Sequence, residues 1–168
     1  MTTRRVSLLV GLLCLIASTS VAAALPSSLF DGKISGVEWC WQDQCKFAGF
    51  SGTYNGKVYG EHDTGLFSAI VTHELPLPTV PGDWVTINEG GYWLIWTSLG
   101  YFEGTVTEGS TLTATKNVNR FDVTVMLLLT NPGGTAKFVG VLDHSGLLKQ
   151  PIEPPTIRGD VVSCDSGC

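Results

Sequence analysis

Apolar and polar residues alternate along most of the chain, and the alternation is broken about every ten residues by glycine, proline or asparagine. A period of two belongs to strands with one buried face, because successive strand side chains point to opposite sides. The pattern predicts strands over 33–41, 46–54, 57–61, 65–75, 84–87, 92–97, 101–107, 111–115, 120–130, 136–143 and 156–162. Gln42-Asp43-Gln44 predicts a polar turn after the first of these. Asn55-Gly56 is the strongest hairpin signal, since both residues tolerate positive φ, and predicts the turn between 46–54 and 57–61. Gly133-Gly134 predicts a tight turn into 136–143. Prolines 76, 78 and 81, and again 151, 154 and 155, mark two irregular loops, because proline cannot donate to a ladder.

Faces follow from the same parity. In 65–75 the side carrying Phe67, Ala69, Val71, His73 and Leu75 is the more apolar and is expected inward. Met126 to Leu129 is an uninterrupted apolar run, which suits a strand covered on both sides or one whose outer face meets another chain in an oligomer. Ten or so short strands with no sustained helical period make an all-β protein. A single antiparallel β-barrel of about eight to ten strands is expected, with a β-sandwich as the other architecture the count allows. Glycines inside strands, such as Gly36, Gly49, Gly104, Gly140 and Gly159, favour the barrel, where a coiled wall needs positions without a side chain.

The first 24 residues do not share the pattern. Arg4 and Arg5 precede an apolar stretch over 6–16, and Ala22-Ala23-Ala24 supplies small residues for cleavage before Leu25. This predicts a cleaved signal peptide over 1–24, a single barrel domain over 25–168, and a secreted or periplasmic protein. Leu13 before Cys14 is too large for a lipoprotein site, and no later run is long enough to span a membrane. Cleavage removes two basic and no acidic residues, so the net charge moves from -5 to -7. With lysine and arginine thinly spread, nucleic acid is an unsuitable partner.

Four cysteines remain: Cys40, Cys45, Cys164 and Cys168. An even count in an exported chain predicts two disulfides. Local pairs, Cys40–Cys45 and Cys164–Cys168, or a crossed arrangement tying the first strand to the last, satisfy that count. A zinc site would need thiolates that an oxidising compartment disfavours.

Candidate chemistry is sparse. Phe67 precedes His73 by six residues and Phe138 precedes His144 by six, so each pair shares a strand face near a strand end. Two imidazoles at one barrel mouth are suited to general acid–base work; as plain rim residues they would bond loop carbonyls or water. Alone they do not complete a metal site. Glu103, Asp122 and Asp143 are the carboxylates to watch, although outer faces normally carry such charge. Trp39, Trp41, Trp84, Trp93, Trp96, Tyr92 and Tyr101 are many for one small domain. They fill a core or line a cavity for an apolar ligand, with Trp93, Trp96, Tyr101 and Glu103 as its candidate lining. No Gly-x-Ser-x-Gly, His-Glu-x-x-His or phosphate-binding Gly-Lys-Thr motif occurs, and no cofactor is expected.

The run Gly133-Gly134-Thr135-Ala136-Lys137-Phe138-Val139-Gly140 resembles the Gly-Gly-Thr-Gly-x-Phe-x-Gly signature of dirigent proteins and the related allene-oxide-cyclase-like barrels. The strand before it and Gly104-Thr-Val-Thr-Glu-Gly109 fit the same kind of chain, so the resemblance covers about the last 70 residues. Ala136 stands where that signature has glycine, and Val141-Leu142-Asp143 departs from its usual small residues. The resemblance implies an eight-stranded barrel with a central cavity, acting on an apolar or polycyclic substrate without a cofactor. Three functions follow as expectations: a binding or structural barrel, a cofactor-free isomerase or cyclase using His73 or His144, and a surface or assembly subunit.

Overall fold

The computed structural model describes residues 28–40 and 46–164. The expected signal segment, Trp41, the 42–44 turn, Cys45 and Cys168 lie outside them. The strands are β1 (Phe30–Cys40), β2 (Phe47–Val58), β3 (Glu61–Thr72), β4 (Trp84–Thr86), β5 (Tyr92–Thr97), β6 (Tyr101–Val106), β7 (Thr111–Ala114), β8 (Arg120–Asn131), β9 (Gly134–Asp143) and β10 (Thr156–Cys164). A short 3-10 turn, Ser145–Leu148, follows β9.

Eight strands close an antiparallel barrel in the order β8-β6-β5-β3-β2-β1-β10-β9, with β9 returning to β8. Closure leaves the wall without an edge. The two extra strands complete one rim: β7 pairs with β8 over 121–124, just beyond the part of β8 that pairs with β6, and β4 pairs with β7. A bridge between His73 and Ile87 joins that rim to the end of β3. The barrel, rather than the sandwich, is the architecture.

One turn needs correction. Asn55 and Gly56 lie inside β2, and the chain reverses at Tyr59-Gly60, where φ is 52° and 86°. What Gly56 supplies is closeness: a Cβ there would sit 2.3 Å from the Asp31 carbonyl oxygen and 2.4 Å from the Gly32 Cα. A glycine demanded by a neighbouring strand and one demanded by a turn look alike in a sequence. Lys57 and Val58 therefore end β2, Glu61 begins β3, and no separate 57–61 strand exists. Gly133 and Gly134, at φ 110° and 106°, do make the predicted turn.

The inner wall follows parity. Phe67, Ala69, Val71 and His73 point inward as expected, whereas Leu75 is exposed. Within Met126 to Leu129, Leu127 and Leu129 are buried and Leu128 is half exposed on the outside. The inward-facing Gly140 and Gly159 sit opposite each other on β9 and β10. A Cβ on either would lie within 3 Å of the Phe138 ring, so the missing side chains make room for that ring. Phe67, Trp93 and Phe138 form an aromatic layer across the middle of the barrel, with centroids 5.0 and 5.4 Å apart. On one side of it Phe30, Tyr54, Val58 and Phe102 fill the interior; we call this the packed end. The other side is the histidine end, where β1, β3 and β9 finish.

Candidate functional site

The histidine end is built from strand termini. By alternation with Ile34 and Gly36, Glu38 of β1 faces inward, and it is 4% exposed. Its backbone N–H donates to Pro155, and its carboxylate Oε2 lies 2.8 Å from His144 Nε2. His144 follows β9, where its own N–H donates to Asn119 and its ring stands edge-on to Phe121 at 5.5 Å. Because a carboxylate can only accept, His144 Nε2 carries the proton in this contact.

His73, also 4% exposed, sits across the barrel at the end of β3. Its Nδ1 lies 2.7 Å from the Glu74 carbonyl oxygen. A carbonyl accepts, so Nδ1 bears the hydrogen and Nε2 of the neutral ring is left as an acceptor. Glu38, His73 and Trp93 together line a cavity of about 20 Å³ whose other walls are apolar, among them Phe50, Val71, Ile87 and Leu142. That is the room one water-sized group occupies. Trp93 Nε1 is fully buried and makes no hydrogen bond, the sole such side-chain atom among the described residues. An indole N–H without an acceptor costs about 1–3 kcal/mol.

Asp143 lies beside this mouth without entering it. It accepts from Arg120 Nη2 at 2.7 Å and from the Ser145 N–H at 2.9 Å. The Ser145 hydroxyl, the Arg120 guanidinium and that N–H hold its carboxyl well below the usual range. Asp122 faces outward on β8 and is exposed.

Both predicted histidines therefore reach one mouth, but only His73 lines the cavity. The predicted ligand set divides. Trp93 points inward, while Trp96, Tyr101 and Glu103 lie on the outer face of β5 and β6 with Tyr92. A common interior lining by all four is ruled out by parity: 93 is odd-numbered on β5, opposite to 96, and Phe102 rather than Tyr101 is the inward residue of β6. Trp39 also faces outward, its ring over Gly49. Sequence reasoning passed over Glu38. The one signal was its step with Ile34, since a carboxylate turned inward is expensive unless it has a task or a partner.

Among the described residues no cluster of three or more His, Cys, Asp or Glu could hold a metal ion, and no helix is long and apolar enough to cross a membrane. Cys164 is disulfide-bonded. A crossed Cys40–Cys164 bridge is out of reach. Val37 faces Thr156 while Asp31 faces Val162, so the two Cα atoms lie at opposite ends of the β1–β10 pair. Eleven strand steps separate them, roughly 30 Å or more, against the 7 Å or so that a disulfide allows.

The fold and the mouth define an eight-stranded antiparallel barrel with a small, mostly apolar cavity at one end, bordered by Glu38 and His73. No protein-family model, no curated protein and no solved structure matches the chain.

Proposed function

We propose that the protein is an exported binding barrel that receives a hydroxyl-type group at its histidine end. The observation that carries this is the partnerless Trp93 indole N–H, in a cavity shared with Glu38 and His73. A hydroxyl oxygen accepts from Trp93 while its hydrogen goes to Glu38 or His73 Nε2, so one small group answers a donor and an acceptor together. The apolar walls accept only a small attached carbon fragment, since a drug-sized ligand needs about 300 Å³ or more. The test is ¹H–¹⁵N NMR of the Trp93 indole during titration with the series ethanol to 1-hexanol. A saturable downfield shift, absent in Glu38→Gln, is expected. No saturable shift with any alcohol, or the same shift in Glu38→Gln and His73→Phe, removes the reading.

A second reading, a cofactor-free isomerase or cyclase, rests on Glu38 contacting His144 while sharing a cavity with His73. Those groups are suited to taking a proton from one atom and returning it to another. The dirigent and allene-oxide-cyclase-like resemblance stands with this reading. Barrel closure supports it, and the small cavity speaks against a polycyclic substrate. Proton–deuterium exchange into a bound alcohol's ketone analogue, lost in His73→Ala, is its expected signature; no exchange above the rate in buffer rejects it.

A further inference from the structure

The outer wall of β5 and β6 carries an unusual set of side chains. Tyr92, Leu94 and Trp96 face outward on β5, and Tyr101, Glu103 and Thr105 do so on β6. In register, Trp96 lies opposite Tyr101 and Leu94 opposite Glu103. Tyr92, Trp96 and Tyr101 are 37%, 64% and 53% exposed, a cost a wall facing only water has no reason to carry. They surround a cleft of about 360 Å³ with Leu94 as floor and Glu103 at its side.

The chemistry of this cleft points one way. Three aromatic rings, whose faces carry negative quadrupole density, line it together with one carboxylate. No Lys, Arg or His lines the cleft, and Glu103 has no ion pair among the described residues. The Tyr92 hydroxyl's pKa is shifted upward by burial and then by the charges of Glu103 and Tyr101. Such a site favours a cation that is large, weakly hydrated and apolar at its surface. A lysine ammonium is strongly hydrated and fits less well. Tyr92 and Trp96 are four strand steps apart, about 13 Å, which leaves room between the rings for a trimethylammonium group.

We propose that the Tyr92–Trp96–Tyr101–Glu103 cleft binds a soluble trimethylammonium compound, with the rings contacting its methyl groups and Glu103 balancing its charge. The cleft volume suits one small molecule. This site is independent of the interior one.

The test uses choline as probe, followed by calorimetry and Trp fluorescence at constant ionic strength, with its neutral isostere 3,3-dimethyl-1-butanol as control. Saturable choline binding is expected, at least about tenfold tighter than the isostere, and weakened about tenfold by either Trp96→Leu or Glu103→Gln. Trp96 is exposed and Glu103 half-buried on the outer wall, away from the core, so both variants should keep the wild-type melting temperature, and Glu38→Gln should leave choline binding unchanged. Equal binding of choline and the isostere, no saturation with choline, or an unaffected Glu103→Gln overturns the proposal. So does binding to phosphatidylcholine vesicles without binding to free choline, or a choline-insensitive self-association lost in Trp96→Leu.

Discussion

The two ends of the barrel solve the same problem differently. Each buries polar groups among apolar side chains, but at the packed end each has its partners. The Tyr54 hydroxyl reaches the carbonyls of Asp31 and Lys57, at 3.2 and 2.8 Å. Ser163 accepts from the N–H groups of Leu29 and Phe30 at 2.6 and 3.0 Å. Asp63 collects the N–H groups of Thr64 and Leu99 and the Ser98 hydroxyl. At the histidine end Glu38, His73 and Trp93 line one apolar hollow, and the Trp93 indole N–H has no acceptor. Satisfied polar groups fix a structure; unsatisfied ones store free energy that a ligand can release. The packed end reads as scaffold and the histidine end as site.

The contrast breaks most readily through Phe102. Its ring is 1% exposed and packs, tilted, against Phe30 at 4.8 Å, with Tyr59 at 5.9 Å. Phe102→Ala should cost about 3–5 kcal/mol, read as the shift in urea midpoint at constant slope. A loss under about 1 kcal/mol would mean that the packed end can collapse and is not the anchor.

A smaller and more pointed comparison sets Tyr54→Phe against Glu38→Leu. Removing the Tyr54 hydroxyl leaves the Asp31 and Lys57 carbonyls short of a donor and should cost about 1 kcal/mol. The hydroxyl's own pKa, pushed up to about 12 chiefly by burial, keeps it neutral throughout the working range. Glu38→Leu fills an apolar hollow and removes a buried carboxylate, while its partner His144 can turn to water at the rim. Stability should stay within about 1 kcal/mol of wild type or rise. If Glu38→Leu instead costs more than Tyr54→Phe, the Glu38–His144 contact is part of the scaffold.

The barrel was legible because parity and interior glycines are local facts. Phe67, Ala69, Val71 and His73 share a face whatever the strand pairs with, and Gly140 and Gly159 announce a bend. The Asn55-Gly56 hairpin failed because the feature that demands Gly56 is the close passage of Asp31 and Gly32, about 25 residues away in the chain. Glu38 was hidden for a related reason. On β1 the larger apolar residues Val37 and Trp39 lie on the outer face, so the inner row of Ile34, Gly36 and Glu38 does not look like a core. The outer cleft was half legible. Trp96, Tyr101 and Glu103 stood out as ligand candidates, but only the register of β5 with β6 places Tyr92 beside them and Trp93 away from them.

Acid offers the finest separation of the two ends, because each has one carboxylate held in its ionised form. At Asp63 burial opposes ionisation, but donors from Leu99, Thr64, Thr97 and Ser98 outweigh it and lower the pKa. At Asp143 the Ser145 hydroxyl and Arg120 do the same. A carboxyl whose folded pKa is depressed contributes stability that is complete above its unfolded value of about 3.9, and loses it as pH falls toward the folded value. Stability should therefore drop below about pH 4, and Asp63→Asn and Asp143→Asn should each make that drop shallower. Salt distinguishes them. The Asp63 donors are neutral groups, so its share of the acid slope should be the same in dilute and concentrated salt. Asp143 draws part of its shift from Arg120, whose side chain is 39% exposed, and that part should shrink as salt screens the pair. Urea titrations of the two variants at pH 3 to 6, in low and high salt, measure both slopes. An Asp63→Asn slope that matches wild type would show that the packed end does not hold its carboxylate as its hydrogen bonds require.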